Sequence, residues 1–320
     1  MKAAIVNIAG SAPAYGEFRE PVAEAGEVII QVEASALSRL TMARASGKHY
    51  SSTTDLPLVP GIDGVGRTIG SSQRVFFMLP RAPFGGMAER VPVASAHCVP
   101  VPAGLDSITA AAIGNPGMSS WAALKERARL VAGEVVLVNG ATGAAGSLAV
   151  QIARIHGAKK VIATGRNPEA LSKLMQLGAD VTIALTQEKE ALEAAFEKEF
   201  AEGVNVVLDY LWGLSARMVL IAAARAAEGG VPIRFVQIGE ASDSNIELPG
   251  AVLRSSSLVL MGSGIGSVRM ERLIAVTGEV IQAAIPAQLN VETEALPLSE
   301  VEQSWTREAG RRRLVFDPRK

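Results

Sequence analysis

The chain has 320 residues, of which 48% are hydrophobic and 20% charged, and its formal net charge at pH 7 is −1. This length allows two domains with large cores, and the small net charge gives no electrostatic reason to bind nucleic acid or an anionic membrane. The single cysteine, Cys98, excludes an intramolecular disulfide and a cysteine-rich zinc site. With neither a signal-peptide core nor an apolar run of bilayer length, the sequence predicts a cytoplasmic protein without membrane contact.

The N-terminal part of the chain, residues 1–112, is predicted to form a β-rich domain with little helix. Apolar and alternating runs indicate strands at Val28–Val32, Arg74–Met78 and Ala88–Val93. Prolines and glycines are frequent between these runs, as is typical of turns.

Helical patterns begin after Asp106. Ile108–Ile113 is rich in alanine, and Ser119–Leu130 places apolar residues at helical spacing. Asn115-Pro116-Gly117 lies between these stretches and predicts a break, because proline lacks the N–H that a helix interior needs. We therefore expect two separate helices here.

Residues 113–265 are predicted to form a doubly wound parallel sheet, because strands alternate with helical stretches. The predicted strands are Val135–Val138, Lys160–Thr164, Val181–Ala184, Val204–Asp209, Ile233–Ile238 and Leu258–Met261. Ligands of such sheets bind at the carboxyl ends of the strands, which draws attention to Asp209-Tyr210 and Gly239-Glu240. Residues 266–320 are expected to return to the β-rich domain.

A glycine-rich turn follows the first of these strands and reads Asn139-Gly140-Ala141-Thr142-Gly143-Ala144-Ala145-Gly146. Glycines let the backbone approach a pyrophosphate closely, and the following helix offers free N–H groups and a positive dipole end. The strand before the turn, with the helix and second strand after it, makes a dinucleotide site the favoured interpretation. The alternative is a tight turn of an α/β sheet that binds nothing.

The end of the second strand indicates which dinucleotide is bound. An acid there would hydrogen-bond the ribose of NAD, but the sequence is Gly165-Arg166-Asn167. The planar fork of Arg166 suits a 2′-phosphate and so favours NADPH. Asn167 is expected to cap the next helix, which places Arg166 just before a helix start. The alternative is a solvated surface arginine.

The order of a β-rich domain, a nucleotide-binding domain and a short return strand, together with two local motifs, resembles a known family. The first motif runs from Gly133 to Gln151 through the glycine-rich turn, and the second is Pro60-Gly61-Ile62-Asp63-Gly64-Val65-Gly66. The chain resembles the zinc-free quinone oxidoreductase branch of the medium-chain dehydrogenase/reductase superfamily. That resemblance implies a GroES-like β-rich domain plus a Rossmann domain, and an NADPH-dependent activity.

The resemblance also implies which residues contact the cofactor. The turn from Asn139 to Gly146 is expected to hold the pyrophosphate, and Gly165, Arg166 and Asn167 the adenosine phosphate. Ser119, Gly239 and Glu240 are expected to approach the cofactor. Ser263, Gly264 and Gly266 are expected to lie near the nicotinamide carboxamide.

Two residues of the first domain are candidates for the catalytic site. Related enzymes often carry a tyrosine after a Ser-Gly pair, and here Ser46-Gly47 is followed by Lys48, His49 and Tyr50. Strict register selects His49, and Tyr50 is next to it. The alternative for Tyr50 is a partly buried aromatic residue, and for His49 a plain loop residue.

The resemblance also bears on metal chemistry. Zinc-dependent relatives carry ligands at the places occupied here by Ser38 and Ile62, and they have a four-cysteine lobe that this chain lacks. We therefore expect no metal site. The expected reaction is hydride transfer from NADPH to a quinone or to an activated alkene (an enone), both small apolar electrophiles.

Two other functions stay open. A nucleotide-binding structural or regulatory protein of the zeta-crystallin type would share the same turn, and so would an enoyl-thioester reductase. The latter would need a basic groove, to which Arg311 to Arg313 could contribute. The apolar run Leu258–Met261 is expected to be an edge strand, and pairing of two such edges across a twofold axis predicts a homodimer.

Overall fold

The computed structural model describes residues 1–52, 55–307 and 312–320. Arg311, the first of the three arginines considered for a basic groove, lies outside the described residues. The chain divides into two compact units, the first formed by Met1–Asn115 with Thr277–Lys320 and the second by Pro116–Val276. Both junctions fall inside helices. The sequence patterns predict these junctions at 112/113 and 265/266. None of the helices in the described ranges is long and apolar enough to cross a lipid bilayer.

The elements before the glycine-rich turn are mostly short strands. They are β1 (Lys2–Ile5), β2 (Ala14–Glu17), β3 (Glu27–Ala36), α1 (Arg39–Ala45), β4 (Asp63–Thr68), β5 (Arg74–Met78), β6 (Arg90–Ala94), β7 (Cys98–Pro100) and α2 (Ser107–Ala122). A π-helical turn, Ala123–Ala128, continues α2. The strands near Val28, Arg74 and Ala88 that the sequence predicts are all present.

Strands and helices alternate in the remainder of the chain. They are β8 (Val135–Asn139), α3 (Ala144–Ile155), β9 (Lys160–Gly165), α4 (Pro168–Gln176), β10 (Val181–Ala184), α5 (Lys189–Ala201), β11 (Val206–Asp209), α6 (Gly213–Ala226), β12 (Ile233–Gln237), α7 (Gly250–Arg254), β13 (Leu258–Gly262), α8 (Met270–Ala283), β14 (Thr293–Pro297), α9 (Val301–Ser304) and β15 (Arg313–Asp317).

The first unit is built on an antiparallel sheet around β3. Its order is β14-β15-β3-β4-β5-β7, and β6 also pairs with β3. The last strand of the chain, β15, runs antiparallel to β3, so the predicted return of Leu314–Phe316 to this domain is confirmed. Strand β14 was not predicted, and it pairs in parallel with β15. Large apolar side chains such as Phe77, Met87 and Phe316 fill the core.

The second unit contains a parallel sheet in the order β10-β9-β8-β11-β12-β13, and the predicted doubly wound α/β fold is confirmed. Strands β8 to β10 build the sheet in one direction, and β11 to β13 extend it on the other side of β8. The strand order therefore reverses beside β8, and this switch point is where ligands of such sheets bind. The buried β8 and β11 are continuous apolar runs, as a strand covered on both faces requires.

The predicted break at Asn115-Pro116-Gly117 is wrong. Helix α2 runs through Pro116 to Ala122. Pro116 is buried, and the hydroxyl of Ser120 donates to its carbonyl oxygen at 3.0 Å. A Cβ at the nearby Gly114 would lie 2.1 Å from the ring of Phe76, so the helix packs very closely on the β5 strand. Tertiary packing outweighs the local preference of proline here.

Candidate nucleotide-binding site

The glycine-rich turn leaves the carboxyl end of β8 at the switch point of the sheet. Gly140 has a φ of +86°, a backbone conformation that residues with a side chain rarely adopt. Gly146 lies in the first turn of α3, where a Cβ would fall 2.3 Å from the Gly140 carbonyl oxygen and 2.6 Å from the Cα of Ala141. Ala141 is itself buried, and its N–H donates to the Thr164 carbonyl at 2.8 Å. Only a residue without a side chain at position 146 lets helix and turn approach this closely.

Gly143 differs from the other two glycines of the turn. It is the N-cap of α3, has ordinary extended backbone angles, and is exposed. A Cβ placed on it would meet no atom within 4 Å. The N–H groups of Ala144, Ala145 and Gly146 follow in the first helical turn, where no intrahelical acceptor is available. The turn therefore presents backbone donors and a positive helix end beside open space, which is the arrangement that holds a phosphate.

A buried polar network fixes the turn from below. The Asn139 amide nitrogen donates to the Asp209 carboxylate at 2.8 Å and to the Ser215 hydroxyl at 3.0 Å, and its oxygen accepts from Thr164 at 2.7 Å. The N–H of Gly140 in turn donates to the Thr164 hydroxyl at 3.1 Å. The Asn139 side chain is fully buried and fully engaged. The Asn139 side chain therefore positions the turn.

Asp209 is the charged member of this network. Its two carboxylate oxygens accept from the N–H groups of Leu211 at 3.2 Å and Trp212 at 3.0 Å. These bonds hold the turn into α6, where Trp212 takes a φ of +57°. Burial raises the pKa of Asp209 to about 6, and the hydrogen bond from Asn139 and those from the two backbone N–H groups oppose the rise. Asp209 thus caps the turn that leads into α6.

The predicted adenosine-phosphate residues follow β9 directly beside the turn. A Cβ at Gly165 would lie 2.3 Å from the methyl group of Thr142, so strand end and turn touch. The Asn167 side chain accepts from the N–H of Ala170 at 2.9 Å and caps α4, as its place before Pro168 predicts. Arg166 is exposed between them. In the part of the chain that the structure describes, its guanidinium has no hydrogen-bonding or ionic partner.

The other predicted cofactor residues lie on α2 and in the loops after β12 and β13. Ser119 is half-buried on α2, and the next residue, Ser120, shares a hydrogen bond of 2.8 Å with the hydroxyl of the buried Tyr210. The Ser120 hydroxyl also lies 3.3 Å from the Ala145 carbonyl in the first turn of α3. Burial raises the pKa of Tyr210 well above its ordinary value, so the phenol keeps its proton. Sequence reasoning did not find the Ser120–Tyr210 pair.

The remaining predicted cofactor residues follow β12 and β13. Gly239 and the exposed Glu240 come after β12, and the Gly239 carbonyl accepts from the Gln237 amide at 3.2 Å. Ser263, Gly264 and Gly266 follow β13, and the Ser263 N–H donates to the Gln237 carbonyl at 2.8 Å. Because all six strands are parallel, these loops lie at the same edge of the sheet as the glycine-rich turn.

The catalytic candidates lie in the first unit, in the loop after α1. The His49 and Tyr50 rings are in contact, with centroids 4.1 Å apart, and His49 Nδ1 is 2.8 Å from the Ser51 hydroxyl. The Tyr50 side chain is 74% exposed, so it is not the partly buried aromatic residue of the plain alternative.

Metal ligands are lacking at the two places where zinc-dependent relatives carry them. Ile62 is a buried apolar residue, and the Ser38 hydroxyl is engaged with Thr41 at 2.9 Å as the N-cap of α1. Within residues 1–52, 55–307 and 312–320, no three His, Cys, Asp or Glu side chains are grouped so that they could hold a metal ion. Neither Ile62 nor Ser38 therefore offers a free metal ligand at these two places.

Comparison with known proteins is consistent with this fold. Residues 144–279 match the family described as zinc-binding dehydrogenase. Along 92% of its length the chain is 28% identical to a protein of Emericella nidulans named "Probable NADPH-dependent quinone reductase", of which 92% is covered. Along 60% of its length it is 32% identical to the quinone oxidoreductase of Rattus norvegicus, of which 59% is covered.

A solved structure extends the comparison to the whole chain. The quinone oxidoreductase of Thermus thermophilus, whose structure is also known in complex with NADPH, matches with a TM-score of 0.82 and 28% identity, covering 99% of this chain and 100% of that one. The fold, the glycine-rich turn and the matched region are similar to those of medium-chain dehydrogenases/reductases. Within that superfamily the similarity is to quinone oxidoreductases, which confirms the resemblance read from the sequence.

Proposed function

We propose that the chain is an NADPH-dependent oxidoreductase that reduces a quinone or an activated alkene without zinc. The observation that carries the proposal is the open space over Gly143 at the start of α3, together with Arg166 beside it. Arg166 has no hydrogen-bonding or ionic partner among the residues that the structure describes. Thr142, just before α3, touches Gly165, just before Arg166, so the helix end and Arg166 are near each other. A phosphate group at the helix end and a second one at Arg166 would therefore belong to the same ligand. NADPH carries both groups, and the names of the relatives pair NADPH with quinones.

The residues of this chain bind and orient the dinucleotide. Backbone N–H groups from Ala144 to Gly146 would hold the pyrophosphate, and the planar Arg166 fork would hold the 2′-phosphate. The network of Asn139, Thr164 and Asp209 keeps the turn in place before the ligand arrives. Bound NADPH would supply the hydride, so the chain needs no acidic nucleophile of its own.

Two further properties belong to this proposal. The single cysteine fits a cytoplasmic location. Strand β13 is at the edge of its sheet, and Val259 and Leu260 are 46% and 41% exposed. Proteins cover or pair apolar edge strands, and two copies of β13 related by a twofold axis would do so. We therefore propose a homodimer that joins the parallel sheets of two copies.

The test is a binding and turnover measurement on the purified chain. We expect saturable binding of NADPH and weaker binding of NADH, followed by NADPH oxidation when a panel of quinones and enones is added. Enoyl thioesters belong in the same panel, because faster turnover of these would favour the enoyl-thioester reductase. NADPH binding without oxidation by any member of the panel would favour the structural or regulatory alternative and overturn the proposed activity.

The roles of His49 and Tyr50 need a separate test. We propose that one of them contacts the substrate, and Tyr50→Phe and His49→Gln test this one residue at a time. Loss of turnover with unchanged NADPH binding would support the role for the residue concerned. Unchanged turnover in both variants would remove the two residues from the site.

A further inference from the structure

The first unit contains a pocket whose lining includes none of the residues assigned above to the cofactor or the substrate. It is an open cleft between α1 and two loops, residues 58–62 and 80–84, with a space of about 460 Å³ that includes open solvent at its mouth. Most of its wall is apolar, formed by side chains such as Leu58, Val59, Pro80 and Phe84.

The cationic side chain of Arg44 lines this pocket. Arg44 is in the last turn of α1 and is partly buried. Among the residues that the structure describes, none accepts a hydrogen bond from its guanidinium or pairs with its charge. Burial lowers the pKa of Arg44 from its ordinary value, with no charged neighbour to oppose the change in the described part of the chain. A partly desolvated arginine without a partner is unfavourable, and an anion placed against it would relieve that cost.

The walls of the pocket are fixed by backbone hydrogen bonds. The Val59 N–H donates to the Pro83 carbonyl at 2.8 Å, which ties one loop to the other. The Gly86 N–H donates to the Gly61 carbonyl at 2.8 Å, and a Cβ at Gly61 would lie 2.8 Å from the Gly86 nitrogen. The pocket is therefore formed before any ligand enters, which reduces the ordering cost of binding.

The charges around the pocket favour an anion. No carboxylate is among its lining residues in the described part of the chain. The Phe84 ring in its wall faces the guanidinium groups of Arg19 and Arg81, 5.4 Å and 5.7 Å from its centroid. Arg81 is paired with Glu24 and Glu27, whereas Arg44 has no acidic partner among the residues that the structure describes.

We propose that this pocket binds a small organic acid, apolar except for one carboxylate that pairs with Arg44. The carboxylate matches the bidentate geometry of a guanidinium, and the apolar part of the acid would lie against the prolines and Phe84. The competing account is that Arg44 only stabilises the carboxyl end of α1, since basic residues in a last turn are favourable. That role would need no apolar pocket and would create no selectivity between an acid and its amide.

The experiment is calorimetric titration of the full chain, without NADPH, using benzoate and its neutral isostere benzamide as probes. We expect benzoate to bind more tightly than benzamide by about tenfold or more, because only benzoate forms the charge-assisted pair. Arg44→Met removes the charge and keeps the length of the side chain, so it is expected to abolish the preference. Arg39→Met is the matched control, because Arg39 is exposed on the same helix and does not line the pocket.

A second variant keeps the proposal testable if Arg44→Met does not fold. Ala82 is exposed at the lip of the pocket, and Ala82→Phe is expected to block benzoate while leaving Arg44 in place. Benzoate that binds no better than benzamide, or not at all, would overturn the proposal. Benzoate selectivity that survives either Arg44→Met or Ala82→Phe would also overturn it. Because NADPH is absent, none of these results depends on the proposed reaction.

Discussion

Two matched substitutions in the glycine-rich turn, Gly143→Ala and Gly146→Ala, distinguish an effect on cofactor affinity from an effect on folding stability. At Gly143 the added methyl group would meet no atom within 4 Å, and the backbone angles are ordinary for alanine. At Gly146 the same methyl group would fall 2.3 Å from the Gly140 carbonyl oxygen and 2.6 Å from the Ala141 Cα. Both neighbours at Gly146 are backbone atoms, so the turn itself has to move.

The expected magnitudes follow from these distances. Overpacking of this kind costs about 1–3 kcal/mol, and the better helix propensity of alanine returns up to about 1 kcal/mol. Gly146→Ala is therefore expected to lower the free energy of unfolding by about 1–2 kcal/mol, or Tm by roughly 2–8 °C. Gly143→Ala is expected to change stability by no more than about 0.5 kcal/mol, because a poorer N-cap is offset by a less flexible unfolded chain.

Binding is expected to respond differently. The Gly143→Ala methyl group would occupy the space in which we place the pyrophosphate, so NADPH affinity is expected to fall by about tenfold or more, equivalent to about 1.4 kcal/mol. Gly146→Ala is expected to weaken both folding and binding. Circular dichroism melts and titrations of nicotinamide fluorescence measure the two quantities on the same samples. A folded Gly143→Ala variant that binds NADPH like the wild type would refute the placement of the pyrophosphate.

Four further results are expected. Arg166→Gln is predicted to weaken NADPH by about tenfold while leaving NADH unchanged, since the arginine would contact only the 2′-phosphate; equal losses in fluorescence titrations would contradict this. Chelators are predicted to leave turnover unchanged, and recovery of lost activity by added zinc would count against a metal-free reaction. Light scattering is predicted to report a dimer that Val259→Lys with Met261→Lys converts to monomers, and a double variant that stays dimeric would exclude the β13 edge. Burial raises the pKa of Asp209 from 3.8 to about 6, so the stabilisation linked to its proton is fully present below pH 3.8 and is lost as the pH rises through about 6. Asp209→Asn is predicted to flatten the dependence of the free energy of unfolding on pH over this range, and an unaltered dependence would argue against this role.

The features that could be predicted from the sequence are those with a local signature. The apolar run of β8 and the glycines after it identified the parallel sheet and its switch point, because a doubly buried strand and a close helix approach each restrict residue type. The edge position of β13 could also be predicted, because the sequence shows no later strand pattern that could pair with β13 and extend the sheet.

The features that could not be predicted depend on partners far apart in the chain. The continuity of α2 through Pro116 rests on close packing of Gly114 against Phe76. The network under the turn joins Asn139 to Asp209 and Ser215, which have no sequence pattern in common. Nor does the sequence reveal that Arg44 lies in an apolar pocket without a partner among the described residues, because a single arginine in a short helix is usually a surface residue.

Transfer of deuterium is the most direct test of the central claim that the chain moves a hydride from NADPH to an organic acceptor. The purified protein is incubated with an enone and with NADPH that is deuterated at its transferable hydrogen, and the product is analysed by mass spectrometry. The account predicts one deuterium in each molecule of reduced product, formed in equal amount to the NADPH consumed. Product that carries no deuterium, or NADPH that is bound but never oxidised by any quinone or enone, would contradict it.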